Sequence, residues 1–186
     1  MDARETDTMR SMQCFAAFLL CVLPLTPLSA QKQKREPLTE AQMDQIAEAG
    51  INPDARIALY TKFIGEHADA IKALGNRAHS DARSRRLSDE LQNLTALLDE
   101  LSDNLDTYSE RKADLRKSLK ALTEAAPRWL QILRALAGEP GFDVARKEAI
   151  ESCEDLSGDA AHLLTEQTAY FKEHKDEEGQ DRWEPK

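Results

Sequence analysis

Apolar residues between positions 80 and 137 recur at alternating steps of four and three. Leu87, Leu91, Leu94, Leu98, Leu101, Leu105 and Tyr108 form a first ladder, and Leu115, Leu119, Leu122, Ala126, Trp129, Leu133 and Leu136 continue it in the same phase. A repeat of 3.5 residues sustained this long is what helices packed along a coiled-coil-like seam require. Only Lys112 interrupts it, and no Gly or Pro occurs between Gly75 and Pro127. The pattern predicts one helix of roughly 75 Å, kinked near Pro127. The competing reading is a turn around 107–113 between two antiparallel helices, with Thr107 and Glu110 as a capping box. The unbroken phase favours the continuous helix, because an unrelated turn would preserve it only by chance.

Three further helices are legible. Thr39 can cap a short helix carrying Met43 and Ile46 to Gly50. Asn52-Pro53 restarts the chain with a cap residue and a proline at the first helical position. From there Ile57, Tyr60, Ile64, His67, Ile71 and Leu74 step along one face to Gly75, and the long ladder begins between Ser80 and Ser88. Gly138-Glu139-Pro140-Gly141 is the clearest loop. A last helix follows from about Asp143 to His174, with Ala149, Cys153, Leu156, Ala160, Leu163, Gln167 and Tyr170 on its seam, widened by Ile150, Leu164 and Phe171.

Composition narrows the fold class. Aromatic residues make up 5% and charged residues 32% of the 186-residue chain, with seven Gly and seven Pro, too few for the turns and strands of sandwiches, barrels or Rossmann-type folds. The fold class is all-α: long antiparallel helices in an elongated, coiled-coil-like bundle of three to four main helices. With 34 acidic against 25 basic residues the net charge is −9, which argues against nucleic acid as partner.

The N-terminus changes the cellular picture. Residues 14–25 form an uncharged apolar run shorter than a membrane span, followed by Pro27 and Ala30 and then by polar Gln31-Lys32-Gln33-Lys34. This reads as a secretory signal peptide over 1–30. Asp2, Glu5 and Asp7 spoil the basic region expected before the run, whereas a start at Met9 restores it. Leu28 stands where a smaller residue is usual before the cut, and Gln31 replaces the Cys that a lipid anchor needs. The organisation is then a signal peptide at 1–30, a flexible lead-in at 31–37, one helical domain at 38–174 and a charged, disordered tail at 175–186. The protein is expected in the periplasm or outside the cell, with no stable membrane anchor after cleavage.

Candidate chemistry is sparse. Cys14 and Cys21 leave with the signal, so Cys153 has no partner for a disulfide, and its seam position marks a buried small hydrophobe. His67 sits on an apolar stripe, as a satisfied boundary histidine would. Asp155, Asp159, His162 and Glu166, and likewise Asp99, Asp103, Asp106 and Glu110, run at steps of four, three and four. A di-iron bundle needs a Glu-x-x-His pair on each of two helices, and this chain offers only Asp159-Ala160-Ala161-His162. With Leu91 at heptad position a, the second stripe falls on outward b and f positions, so both read as solvated faces. No metal site, cofactor or catalytic residue is assigned.

Arg77, Arg83, Arg85 and Arg86 make the 75–86 connector basic within an acidic protein, and arginine suits bidentate contact with phosphate or carboxylate. These four are the candidate contacts for an anionic partner. The function expected is that of an exported, non-enzymatic structural or protein-interaction module. The alternative is a bundle that binds a small ligand or metal ion. The partner protein is not identified by the sequence, and the seams are satisfied equally in a homodimer or inside a monomeric bundle.

Overall fold

The computed structural model describes residues 36–179; the expected signal peptide, residues 31–35 of the lead-in and residues 180–186 of the tail lie outside them. Five helices follow in order: α1 (Glu40–Glu48), α2 (Pro53–Gly75), α3 (Asp81–Glu110), α4 (Arg116–Ala135) and α5 (Asp143–Glu173). There is no strand among the described residues. No described helix is long and apolar enough to cross a membrane. The fold is an all-α bundle with four long helices; its elongated, coiled-coil character is not established by this packing.

The first three helix starts obey local rules. The Thr39 hydroxyl accepts from the Gln42 amide, and the Gln42 side chain accepts from the Thr39 amide, a reciprocal capping box. Asn52 Oδ1 accepts from the Ala55 amide ahead of Pro53, and Ser80 Oγ from the Arg83 amide. Because α3 begins at Asp81, Arg83, Arg85 and Arg86 lie on a helix and only Arg77 belongs to the connector.

Cross-helix contacts fix the directions. Tyr60 bonds Glu100 and His67 meets Glu90, so α2 and α3 are antiparallel. Arg134 pairs with Glu154 while Arg116 lies over Phe171, so α4 and α5 are antiparallel too. Asp54 with Ser118 and Asp69 with Arg128 make α2 and α4 parallel. At one end Ser84 lies beside Gly141 and at the other Gln167 reaches Ala113, which makes α3 and α5 parallel. Among the four long helices the touching pairs are α2 with α3, α3 with α5, α5 with α4 and α4 with α2, so two hairpins lie side by side, and the short α1 rests on α2.

The continuous helix expected over 80–137 does not form. The chain leaves α3 after Glu110, crosses the bundle through residues 111–115 and begins α4 at Arg116. α3 and α4 therefore stand at opposite corners. With neighbouring helices ~8–10 Å apart the diagonal is about 11–14 Å, within reach of five residues at ~3.3–3.6 Å each. The turn lies beyond the Thr107 capping box, which is not made: Thr107 Oγ1 donates to the Asp103 carbonyl inside α3. Lys112, the one break in the ladder, takes a left-handed backbone with φ 55°. The Ala113 amide then bonds the Tyr108 carbonyl and the Lys112 amide the Ser109 carbonyl. These are the two bonds of a Schellman C-cap, completed by buried Tyr108 and Ala113.

All fourteen ladder residues are nevertheless buried. Leu97 joins them, because α3 touches both α2 and α5 and must bury a stripe wider than one seam. On α5 the small residues Ala145, Ala149, Cys153 and Ala160 let the helix close on its two neighbours. Pro127 lies within α4 on its exposed side.

The first residues of the charged tail, 175–179, are held in place. Residues 175–177 form a 3-10 turn, after which Glu178 pairs with Arg116 at 3.2 Å and the Gly179 amide donates to Asp114 Oδ2 at 3.1 Å. A second anchor is Tyr170, whose hydroxyl donates to Glu177 at 2.6 Å.

Candidate functional site

The four arginines proposed from sequence have separate fates. Arg77, Arg85 and Arg86 are exposed. Arg83 is 6% exposed and belongs to the scaffold. Its Nε donates to the Leu74 carbonyl at 3.0 Å, which also accepts from the Arg77 amide, and its Nη2 donates to the Gly75 carbonyl at 3.1 Å, so it binds the last carbonyls of α2. Its Nη1 donates to Glu139 in the α4–α5 loop at 2.7 Å, and that bond holds the Glu139 carboxyl below its ordinary range. Arg83 thus joins two loops and is removed from the set that could meet an anionic partner. The reason is geometric: one turn into α3, its side chain points at the end of α2.

Gln167 does the same work at the opposite end. α4 starts at Leu115 without a side-chain cap of its own. Instead Gln167 Oε1 accepts from the Leu115 amide at 2.8 Å, while its Nε2 donates to the Ala113 carbonyl at 2.9 Å. One buried side-chain amide thereby satisfies both sides of the crossing loop.

Other titratable groups occupy bland positions. Cys153 is fully buried, and burial pushes its thiol up to about 12, with Glu154 adding to the rise and Arg134 opposing it. His67 is half-buried, its Nδ1 2.7 Å from Glu90. Burial, with help from Glu100, holds the Tyr60 phenol well above its ordinary range. The two acidic stripes are exposed along their whole lengths, and no group of three potential metal ligands occurs among the described residues.

The feature that sequence reasoning missed is a groove of about 520 Å³ between the parallel helices α2 and α4. Its walls include Gly65, Ala121 and Ala125, and Trp129 lies at its floor. Trp129 is 3% exposed, and its indole N–H, a donor only, keeps access to solvent through the groove. Gly65 lies directly over it: a Cβ there would sit 3.7 Å from Trp129 Nε1, an ordinary contact, and would touch nothing else. Neither close packing nor a left-handed backbone demands this glycine, although a glycine inside a helix costs ~0.5–1 kcal/mol relative to alanine. The one available signal was a glycine within an otherwise regular helical pattern.

Charges rim the groove. Lys62 lies 3.8 Å from Glu66, and Arg128 reaches Asp69 at 2.7 Å, whereas Glu124 has no ion-pair partner among the described residues. A smaller hollow of about 190 Å³ lies between the crossing loop and α5, beside Lys112, Gln167 and Tyr170.

No protein-family model matches the chain, and neither a curated protein nor a solved structure is found to be similar to it.

Proposed function

We propose that this chain is an exported, non-enzymatic helical module that works by binding a protein partner. The observation that carries the reading is where the polar side chains go. Arg83 and Gln167, the buried polar groups with the richest bonding, brace loops and do not converge on a cavity. The larger concavity is an open surface groove with charges of both signs. Enzyme sites instead gather perturbed titratable groups around a sheltered pocket. Export is supported by the apolar run at 14–25 followed by Ala30.

Two measurements test this. N-terminal sequencing of protein from the periplasm or the medium should give Gln31; recovery of residues 9–30 in the membrane fraction overturns export. Photo-cross-linking residues placed in vivo at Arg85, Ala121 and Asp155 should give a discrete adduct from at least one position. An adduct with the mass of two copies identifies a homodimer, and absence of any adduct at all three positions overturns the interaction reading.

A further inference from the structure

We infer that the outer face of α3 is the interface of a homodimer in which two copies lie antiparallel, the basic start of one α3 against the acidic end of the other. The inference deepens the protein-binding reading above by naming a second copy of the chain as a partner. The order of charges along α3 carries it. With Leu91 at heptad position a, positions b, c and f make up the outer side of the helix. Arg85 and Arg86 come first on that side, then uncharged Gln92, Asn93 and Ala96, then Asp99, Asp103, Asp106 and Glu110. Residues 77–89 hold four arginines against Asp81 and Asp89, whereas residues 99–110 hold five carboxylates and no cation.

Within one copy these charges go unanswered. The side chains of Arg77, Arg85 and Arg86 make no hydrogen bond or ion pair among the described residues, although every other described arginine is engaged. The carboxylates of Asp99, Asp103, Asp106 and Glu110 are exposed and have no ion-pair partner there either. Arg85 and Asp106 stand roughly 30 Å apart on one helix, at ~1.5 Å per residue, so they cannot meet each other. The arrangement also works against α3 itself. Asp99 with Asp103, and Asp106 with Glu110, are like charges four residues apart, and they crowd the negative end of the helix dipole, where the last turn holds no base. Local helix stability would order these charges the other way round.

Antiparallel pairing answers them. The midpoints of Arg85 with Asp106 and of Arg86 with Asp103 both fall between Leu94 and Ala96. A two-fold axis beside Thr95 therefore sets Arg85 opposite the second copy's Asp106 and Arg86 opposite its Asp103, and symmetry makes each pair twice. At the axis the uncharged Gln92, Asn93 and Ala96 meet their own copies, so no like charges are forced together. Arginine, with its planar fork, is well suited to carboxylates at such an interface. Ion pairs on an open helix face are individually weak, so this dimer is reversible and sensitive to salt.

Sedimentation equilibrium of the chain, in the form in which it accumulates when expressed, tests this. A reversible two-copy species should form at ~50 mM salt, and its dissociation constant should rise about tenfold or more at ~500 mM. The double variant Arg85→Glu with Arg86→Glu should weaken the dimer about tenfold or more, and so should Asp103→Arg with Asp106→Arg. The second variant separates the interface from net charge, because it makes an acidic chain less acidic and would strengthen any association limited by overall repulsion. All four substitutions together reverse the face at unchanged net charge and should return the dissociation constant to within about threefold of wild type. All four positions are exposed, and helical circular dichroism confirms that each variant folds. Lys117→Glu with Lys120→Glu, at exposed positions of α4, should change self-association far less than the α3 variants do. A chain that stays monomeric up to ~1 mM at low salt overturns the inference, as does a two-copy species that neither α3 variant weakens or that the combined variant fails to restore. The wider reading is judged separately, by cross-linked adducts at Ala121 whose mass is not that of two copies.

Discussion

Replacing Gln167 by methionine keeps an unbranched side chain of similar length and removes both hydrogen bonds to the crossing loop. The Leu115 amide loses its acceptor at 2.8 Å and the Ala113 carbonyl its donor at 2.9 Å. Both residues are buried, and Gln167 itself is 8% exposed, so water does not readily replace either bond. A buried polar group left unsatisfied costs about 1–3 kcal/mol. Two such groups, less the gain from burying a more apolar side chain, give a net loss of about 2–4 kcal/mol. Against the ~5–15 kcal/mol stability of a typical domain that is a large fraction. Urea denaturation followed by helical circular dichroism should show the midpoint falling by about 1–2 M with an unchanged slope. Gln45→Met, which removes an exposed bond to the Ala41 carbonyl, should shift it little. A Gln167→Met midpoint equal to wild type would refute the claim that this amide holds the loop. Gln167→Glu adds a sign. Its protonated form can still donate to the Ala113 carbonyl, whereas its ionised form repels that carbonyl, so the folded protein raises this carboxyl's pKa. Stability should then be highest below the ordinary glutamate range and fall as pH rises through it.

Lys112→Gly should stabilise the protein by up to about 1 kcal/mol in the same assay, because glycine takes the left-handed backbone without a Cβ penalty; a loss of stability would contradict the cap. Gly65→Ala should raise stability by about 0.5–1 kcal/mol, and a decrease would show that the groove has no room for a methyl group. Cys153 should react slowly with a thiol reagent in the native protein and rapidly in denaturant, since burial both shields the thiol and pushes it up to about 12; equal rates would misplace the inner face of α5. Asp114 is held below the ordinary aspartate range chiefly by its bonds from Arg116. Its contribution is present above the unfolded value and lost as pH falls through the folded one, so limited proteolysis should release the C-terminal turn only at pH below the usual aspartate range.

Where residues obey local rules, the sequence was sufficient. Thr39, Asn52 with Pro53, Gly75 and the Gly138–Gly141 loop fall where helices start and stop, because caps and breakers act over a few residues. Burial of the ladders was legible for the same reason. Arg83 was misjudged because its partners at residues 74, 75 and 139 come together only when three helices do, so a charged connector in sequence is a brace in the fold. The groove was invisible because it needs two helices to be parallel neighbours, and no periodicity encodes which helix lies beside which. Gly65 was the trace it left, but a lone glycine carries no information until the space above it is known.

The 3.5-residue spacing on both sides of Lys112 has a physical source other than a continuous helix. A heptad pattern records which face of a helix turns inward, not which neighbour it meets. α3 and α4 stand on opposite corners of one apolar interior, so each presents a ladder to the same centre, and the shared spacing follows from what each buries, whereas the register across the turn depends on the number of residues in it. The turn hid because its left-handed position is a lysine, where local rules look for glycine. What holds Lys112 there lies partly outside the local sequence: its neighbour Ala113 packs under the end of α3, and Gln167, more than fifty residues away, takes up the loop's free amide and carbonyl. A strained cap supported by distant contacts leaves one local mark, a charge in an apolar ladder. That makes the charge, and not the preserved phase, the more informative position in such a repeat.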